Sequence, residues 1–202
     1  MINNLPNFLT LLRVILAPIF FFLVISDNPV AVQFGVGLFI IGAVTDYYDG
    51  YFARRLKISS SLGTFLDPLA DKVLITAAFF AFVYIGVLEL WMVIIVIARD
   101  LLMTLLRLYA NNIKQPIVTS RSAKAKTLLQ MLFVAYLLTL FTAQNMPQFP
   151  ELVSFATWLV NSVSTYILML ALTGYTLWTM VEYSFKNKPL MARLFVYRTV
   201  KN

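Results

Sequence analysis

Six apolar runs, each close to the length of a membrane-spanning helix, occupy most of this sequence. They cover Phe8–Ile25, Ala31–Phe52, Pro68–Val87, Leu90–Ala110, Thr127–Ala143 and Leu152–Val181. A helix needs roughly 20 apolar residues to cross the hydrocarbon core of a bilayer. Only 12% of the residues are charged, whereas about 25% is usual in soluble domains. We therefore predict an all-α integral membrane bundle of six transmembrane helices, forming a single domain over residues 1–202.

Lysine and arginine residues lie in every second connection between the predicted helices, and therefore on one side of the membrane. They cluster after the second run, after the fourth run and in a tail at about residues 183–202, while the other connections contain none. The positive-inside rule then predicts a multi-pass protein of a bacterial-type cell (inner) membrane with both termini in the cytoplasm. In so apolar a chain, a net charge of +7 favours contact with anionic lipid headgroups over nucleic acid.

Four aspartates lie at the ends of the second and third runs, in positions where an isolated carboxylate is costly. They are Asp46, Asp49, Asp67 and Asp71. The first two are spaced i, i+3 and the last two i, i+4, so each pair lies on one face of a helix. The two runs cross in opposite directions, which predicts that all four carboxylates converge at the cytoplasmic side. Such mutual repulsion requires cations, and two divalent ions about 4 Å apart would suit phosphoryl transfer.

The absence of two residue types narrows the chemistry further. The sequence has no cysteine and no histidine, which excludes thiolate nucleophiles, imidazole catalysis and the usual zinc ligands. Oxygen ligands favour a hard cation such as Mg²⁺ or Mn²⁺. Two other interpretations remain open at this point. The acids could pair with Arg54, Arg55 and Lys72, or they could line the path of an ion-coupled membrane transporter.

The segment from Asp46 to Asp71 resembles the signature of the CDP-alcohol phosphotransferases. The matching positions are Asp46, Asp49, Gly50, Ala53, Arg54, Gly63, Asp67 and Asp71. The opening residues Asn4–Arg13 and the stretches Arg99–Arg107 and Thr119–Gln130 are similar to the phosphatidylglycerophosphate synthase branch of that family. Ala123 stands where the family often has glycine.

The resemblance implies a transferase reaction and a role for each matching residue. A phosphatidyl group would pass from CDP-diacylglycerol to glycerol 3-phosphate, giving phosphatidylglycerophosphate and CMP. The four aspartates would bind two divalent cations, and Asp71 would also be the general base. The family also implies a homodimer. The residues expected to bind the CDP-lipid are Asn7, Thr10, Gly50, Ala53, Arg54 and Gly63.

A phosphorylated acceptor requires basic residues near the aspartates. The candidates are Arg107, Arg121, Lys124 and Lys126. Arginine binds phosphate through two parallel hydrogen bonds and lysine acts as a point charge. The basic loop residues could instead serve only the membrane topology, and Arg99 could simply pair with a neighbouring acid. A cardiolipin synthase of the same superfamily, with phosphatidylglycerol as acceptor, is the alternative function.

Overall fold

The computed structural model describes the backbone of residues 5–56, 63–113 and 120–188, and the side chains of residues 11–45, 72–113 and 120–188. Over these residues the chain forms seven helices and no strands. They are α1 (Leu5–Val24), α2 (Pro29–Leu56), α3 (Gly63–Tyr84), α4 (Leu90–Asn112), α5 (Arg121–Gln144), α6 (Pro150–Val160) and α7 (Val163–Lys186). The prediction of an all-α fold is confirmed.

The sixth predicted run, Leu152–Val181, is two helices and not one. Helix α6 ends at Val160 and α7 begins at Val163. At this break the hydroxyls of Ser162 and Thr165 both donate to the carbonyl oxygen of Leu159, at 2.6 and 2.8 Å. Serine and threonine hydroxyls that bond to nearby backbone groups compete with the helical hydrogen bonds. The average hydropathy of the run conceals this local competition.

The helices pack in two groups that share one apolar core. Helix α1 lies against α2 and α3, while α7 lies against α4 and α5, and α3 also contacts α4. Phe20, Phe79 and Phe82 are almost completely buried, together with Met92 and Leu137. These residues come from α1, α3, α4 and α5, so the core joins the two groups. The two groups of helices therefore form one packed body.

The outer surface is apolar as well as the core. Phe22, Phe34, Trp158, Trp178 and Phe185 are each more than 60% exposed. Such a surface is unusual for a protein in water and suits one that contacts lipid. Helices α5 and α7 are long and apolar enough to cross a membrane. The apolar segments in the described parts of the first three helices are shorter: Leu11–Val24, Pro29–Thr45 and Lys72–Tyr84.

Candidate active site

The predicted metal ligands lie on the facing ends of two consecutive helices. Asp46 and Asp49 belong to α2, and Asp67 and Asp71 belong to α3. Their side chains lie outside the described residues, so their role as ligands stays a prediction. The same holds for the residues predicted to bind the CDP-lipid, which are Asn7, Thr10, Gly50, Ala53, Arg54 and Gly63. The side chains that are described contain no cluster of three or more potential metal ligands.

Helices α2 and α3 come into close contact at Gly42. A Cβ atom added to Gly42 would lie 2.8 Å from Cδ2 of Leu74, closer than real Cβ contacts. The missing side chain therefore lets Leu74 rest directly on the α2 backbone. This contact lies one helical turn before Asp46 in α2 and three residues after Asp71 in α3.

The contact also fixes the relative direction of the two helices. Gly42 lies 14 residues before Leu56, and Leu74 lies 11 residues after Gly63. At a rise of 1.5 Å per residue these lengths are about 21 and about 17 Å. A parallel pair would need a connection of about 38 Å, but the seven Cα steps from Leu56 to Gly63 reach at most about 25 Å. The helices are therefore antiparallel.

Counting along the two helices from this contact gives the heights of the aspartates. Asp49 in α2 and Asp67 in α3 are each seven residues away from it, since 49 − 42 and 74 − 67 both equal seven. Asp46 is four residues away and Asp71 is three. Both pairs lie on the side of the contact that leads to the connection between the helices. Counted as rise along each helix from this contact, the two pairs therefore match to about one residue, or 1.5 Å.

Helix α1 brings its own polar positions to the same height. The rings of Phe20 and Phe39 are in tilted contact with their centroids 5.2 Å apart, and a Cβ atom at Gly35 would lie 2.9 Å from Cγ2 of Val24. The residue numbers in each contact sum to 59, which is the signature of an antiparallel pair in constant register. By the same sum, Thr10 of α1 is level with Asp49 of α2.

Arg13 is a residue to which the sequence analysis gave no role. The same register places Arg13 level with Asp46, and its side chain is only 3% exposed. A buried guanidinium at this level would add positive charge where carboxylates are predicted. The signal was available in the sequence, because an arginine inside an apolar run requires a polar environment.

A second group of charged residues joins α4, α5 and α7. The Asp100 carboxylate contacts the Lys126 ammonium at 2.6 Å and the Arg99 guanidinium at 3.2 Å. Lys126 also donates to the side-chain oxygen of Gln130, and Arg99 donates to the Thr179 hydroxyl at 3.0 Å. All five residues are buried. The expectation that Arg99 pairs with a neighbouring acid is confirmed. We call Arg99, Asp100, Lys126, Gln130 and Thr179 the buried polar network.

The four basic residues predicted to bind the acceptor differ in their surroundings. Arg107, Arg121 and Lys124 are exposed, whereas Lys126 is completely buried. Lys126 therefore already has a carboxylate partner in the protein, which the sequence analysis did not anticipate. Lys72, the residue after Asp71, interacts electrostatically with both Asp100 and Lys126. The buried polar network therefore lies within electrostatic range of Lys72 in α3.

Comparison with known proteins places this geometry in a family. The family model for CDP-alcohol phosphatidyltransferase matches residues 3–181. The chain belongs to the CDP-alcohol phosphatidyltransferase family, as the signature from Asp46 to Asp71 predicted.

Individual relatives indicate which member of the family the chain resembles. A protein of Bacillus subtilis is 39% identical over 164 residues, which are 75% of this chain and 82% of the relative. One of Pseudomonas fluorescens is 33% identical over 186 residues, covering 89% of this chain and 88% of the relative. One of Escherichia coli K12 is 37% identical over 143 residues, covering 67% and 76%. All three are named CDP-diacylglycerol–glycerol-3-phosphate 3-phosphatidyltransferase.

Proposed function

We propose that this protein transfers the phosphatidyl group of CDP-diacylglycerol to glycerol 3-phosphate, giving phosphatidylglycerophosphate and CMP. The names of its relatives support this reaction over two thirds or more of the chain. The observation that supports the location of the site is the contact between Gly42 and Leu74, from which the two aspartate pairs on the antiparallel helices α2 and α3 lie at matching numbers of residues. Residues distant in sequence can act on one diphosphate only if the fold brings them to one level.

The donor set suits two divalent cations. Asp46, Asp49, Asp67 and Asp71 would hold Mg²⁺ or Mn²⁺, because carboxylate oxygens are the preferred ligands of these ions. When bound, the ions supply charge neutralisation for the diphosphate and for the attacking and leaving oxygens. Each of the two helices contributes two aspartates. Both helices are therefore needed to provide enough ligands for two cations.

The protein's own residues then perform the remaining steps. Asp71 accepts the proton of the acceptor hydroxyl as that oxygen attacks the phosphorus nearest the lipid. Arg54 binds the diphosphate, and Gly50, Ala53 and Gly63 leave space for the cytidine. Asn7 and Thr10 of α1 complete this face, consistent with the register that makes Thr10 level with Asp49.

The charge of the buried polar network supports an anionic acceptor. Two cations, Arg99 and Lys126, share one carboxylate, Asp100, which leaves an excess of one positive charge (2 − 1 = 1). Within the described residues, Nε of Arg99 and the hydroxyls of Thr176 and Tyr183 are buried without a hydrogen-bond partner. A buried donor needs a hydrogen-bond acceptor and a buried excess charge needs a counter-ion, and a bound anion would supply both.

Arg107 lies on the same helix as Arg99 and Asp100 of the network. It is exposed on α4, eight residues after Arg99. Together with the exposed Arg121 and Lys124, Arg107 would receive the phosphate of the acceptor from water. Lys126 would then contribute from within the network, where its position is set by Asp100.

The membrane arrangement follows from the same proposal. Six crossings, with both termini in the cytoplasm, would be made by α1 to α5 and by α6 with α7 as one interrupted crossing. The acyl chains of the donor would stay in the bilayer while its diphosphate reaches the aspartates at the cytoplasmic side. We further propose that the chain forms a single domain. We also propose a homodimer, because α3 and α4 expose the apolar side chains of Phe80, Tyr84, Trp91 and Ile94.

The test is CMP release from CDP-diacylglycerol by the purified protein in mild detergent. We expect release to require both a divalent cation, Mg²⁺ or Mn²⁺, and glycerol 3-phosphate. Asp71→Asn should lower kcat by at least about 100-fold while CDP-diacylglycerol still binds, because it removes the general base. Release with phosphatidylglycerol alone would instead indicate a cardiolipin synthase. Cation-dependent ion flux without CMP release would contradict the enzyme proposal.

A further inference from the structure

The end of α7 is bonded to the beginning of α5. Glu182 of α7 accepts a hydrogen bond from the Ser122 hydroxyl, and Ser122 in turn shares one with Ser120 at 2.8 Å. The Ser120 hydroxyl accepts from the backbone N–H of Ala123 at 3.2 Å and so caps α5. Tyr175 of α7 adds a hydrogen bond to the carbonyl oxygen of Ser122 at 3.4 Å. We call Glu182, Ser120, Ser122 and Tyr175 the α7 clamp.

The clamp acts on the part of α5 that carries the basic residues. Arg121 and Lys124 lie in the same turn as Ser122, and Lys126 follows one turn later. Lys126 is the residue that contacts Asp100 of α4. Any rotation or fraying of the first turn of α5 would therefore move three predicted acceptor-binding side chains together.

The clamp is also electrostatically suited to this place. The first N–H groups of a helix have no partners within the helix and give that end a partial positive charge. Glu182 brings a carboxylate to this end from another helix, with one oxygen bonded to Ser122 and the other paired with Lys186 of α7 at 2.6 Å. Farther along, the hydroxyls of Tyr136 and Thr165 are 3.2 Å apart, which ties α5 to α7 at a second height. Helix α7 is thus attached to α5 at both ends of their contact.

We propose that Glu182 is a positioning residue for the acceptor, which acts through Ser122 to set the first turn of α5. The proposal rests on the proposed function, because it assigns the acceptor phosphate to the basic residues of that turn. Glu182 itself would touch neither the substrate nor the cations. Its role would appear as a change in the affinity for glycerol 3-phosphate and not in the chemical step.

The first experiment separates the two substrates kinetically. We expect Glu182→Ala to raise the KM for glycerol 3-phosphate about tenfold, with the KM for CDP-diacylglycerol unchanged and kcat within about twofold. Ser122→Ala should have the same effect, and the double variant should be no worse than either single one, since both remove one interaction. Ser122→Thr keeps the hydroxyl and should restore the KM of the original protein.

Glu151→Ala is the matched control for loss of a glutamate side chain. Glu151 is exposed on α6, away from the clamp, so its replacement should leave both KM values unchanged. The proposal is overturned if Glu182→Ala leaves the KM for glycerol 3-phosphate unchanged. It is also overturned if both KM values and kcat change together with the thermal midpoint, since that pattern describes general loosening of the fold.

Hydrogen–deuterium exchange tests the clamp without reference to catalysis. In Glu182→Ala we expect faster exchange of the amides of residues 122–126, with α4 unchanged. Absence of CMP release in the original protein would refute the proposed function, whereas this exchange result would still decide whether Glu182 orders α5. Unchanged exchange in the variant would overturn the positioning role in either case.

Discussion

The two groups of helices achieve their geometry by different means. In α1 to α3 the described contacts between helices include close apolar approaches, with Gly35 and Gly42 making room for Val24 and Leu74. In α4, α5 and α7 the described contacts include a buried carboxylate between two cations and hydroxyl groups that join the helices. The first group would present the metal ligands and the second would recognise the acceptor.

The difference has a physical basis. Helices that contact lipid gain no hydrophobic driving force from packing together, so small residues and polar contacts determine how they associate. Shape complementarity sets a distance, which suits four acids that must share cations. Charge pairs set a local potential, which suits recognition of a phosphate. The two groups should therefore respond differently to mutation.

The largest expected effect is in the buried polar network. Asp100→Leu would leave Arg99 and Lys126 buried without their carboxylate, and removing one partner of a buried pair typically costs about 3–5 kcal/mol. We expect a similar loss in the free energy of unfolding, measured by denaturant titration in mixed micelles.

The matched double variant shows whether charge balance is the cause. Asp100→Leu combined with Lys126→Met should regain part of the loss, because it removes one of the two uncompensated cations. A double variant less stable than Asp100→Leu alone would show that side-chain packing, and not charge, governs this region.

In the first group the corresponding effect should be smaller in stability and larger in activity. Gly42→Val would push Leu74 away and separate α2 from α3, at a cost of about 1–3 kcal/mol. Displacement of catalytic groups by about 1 Å can lower activity about 100-fold, so we expect kcat/KM to fall more than stability suggests.

Gly37→Val is the control in the same helix, because a Cβ atom at Gly37 meets nothing within 4 Å. It should retain activity. Leu74→Ala should rescue part of the activity of Gly42→Val by making room for the new side chain. Equal losses in Gly37→Val and Gly42→Val would contradict the steric argument.

The sequence alone was enough to predict the family, the all-α fold and five of the helices. It succeeded because hydrophobic run length reports on helices in lipid and because four acids at helical spacing are rare there. It failed at the sixth run, where α6 ends at Val160 and the hydroxyls of Ser162 and Thr165 bond to the Leu159 carbonyl. Hydroxyl groups change the average hydropathy little but bond strongly to the local backbone.

The sequence alone also did not predict which side chains of different helices pair with each other. Lys126 was predicted to bind the acceptor because it is basic, yet it lies against Asp100, 26 residues earlier. Likewise Glu182 received no role, although an acid near the end of an apolar run requires a partner. The sequence indicates that such residues need partners, but only the packing of α4, α5 and α7 identifies them.

The smallest expected effect lies where α7 begins beside α5. Tyr136→Phe removes the contact between the Tyr136 and Thr165 hydroxyls and keeps the aromatic ring that stacks on Phe133. Hydrogen bonds between membrane helices average about 0.6 kcal/mol, so we expect a loss of that order in the free energy of unfolding. Thr165 also bonds to the Leu159 carbonyl and therefore keeps a partner. Activity should remain within about twofold, because this contact is far along α5 from Ser122. A loss of activity as large as that of Glu182→Ala would mean that both ends of the α5–α7 contact position the acceptor, and that the clamp is not confined to the first turn of α5.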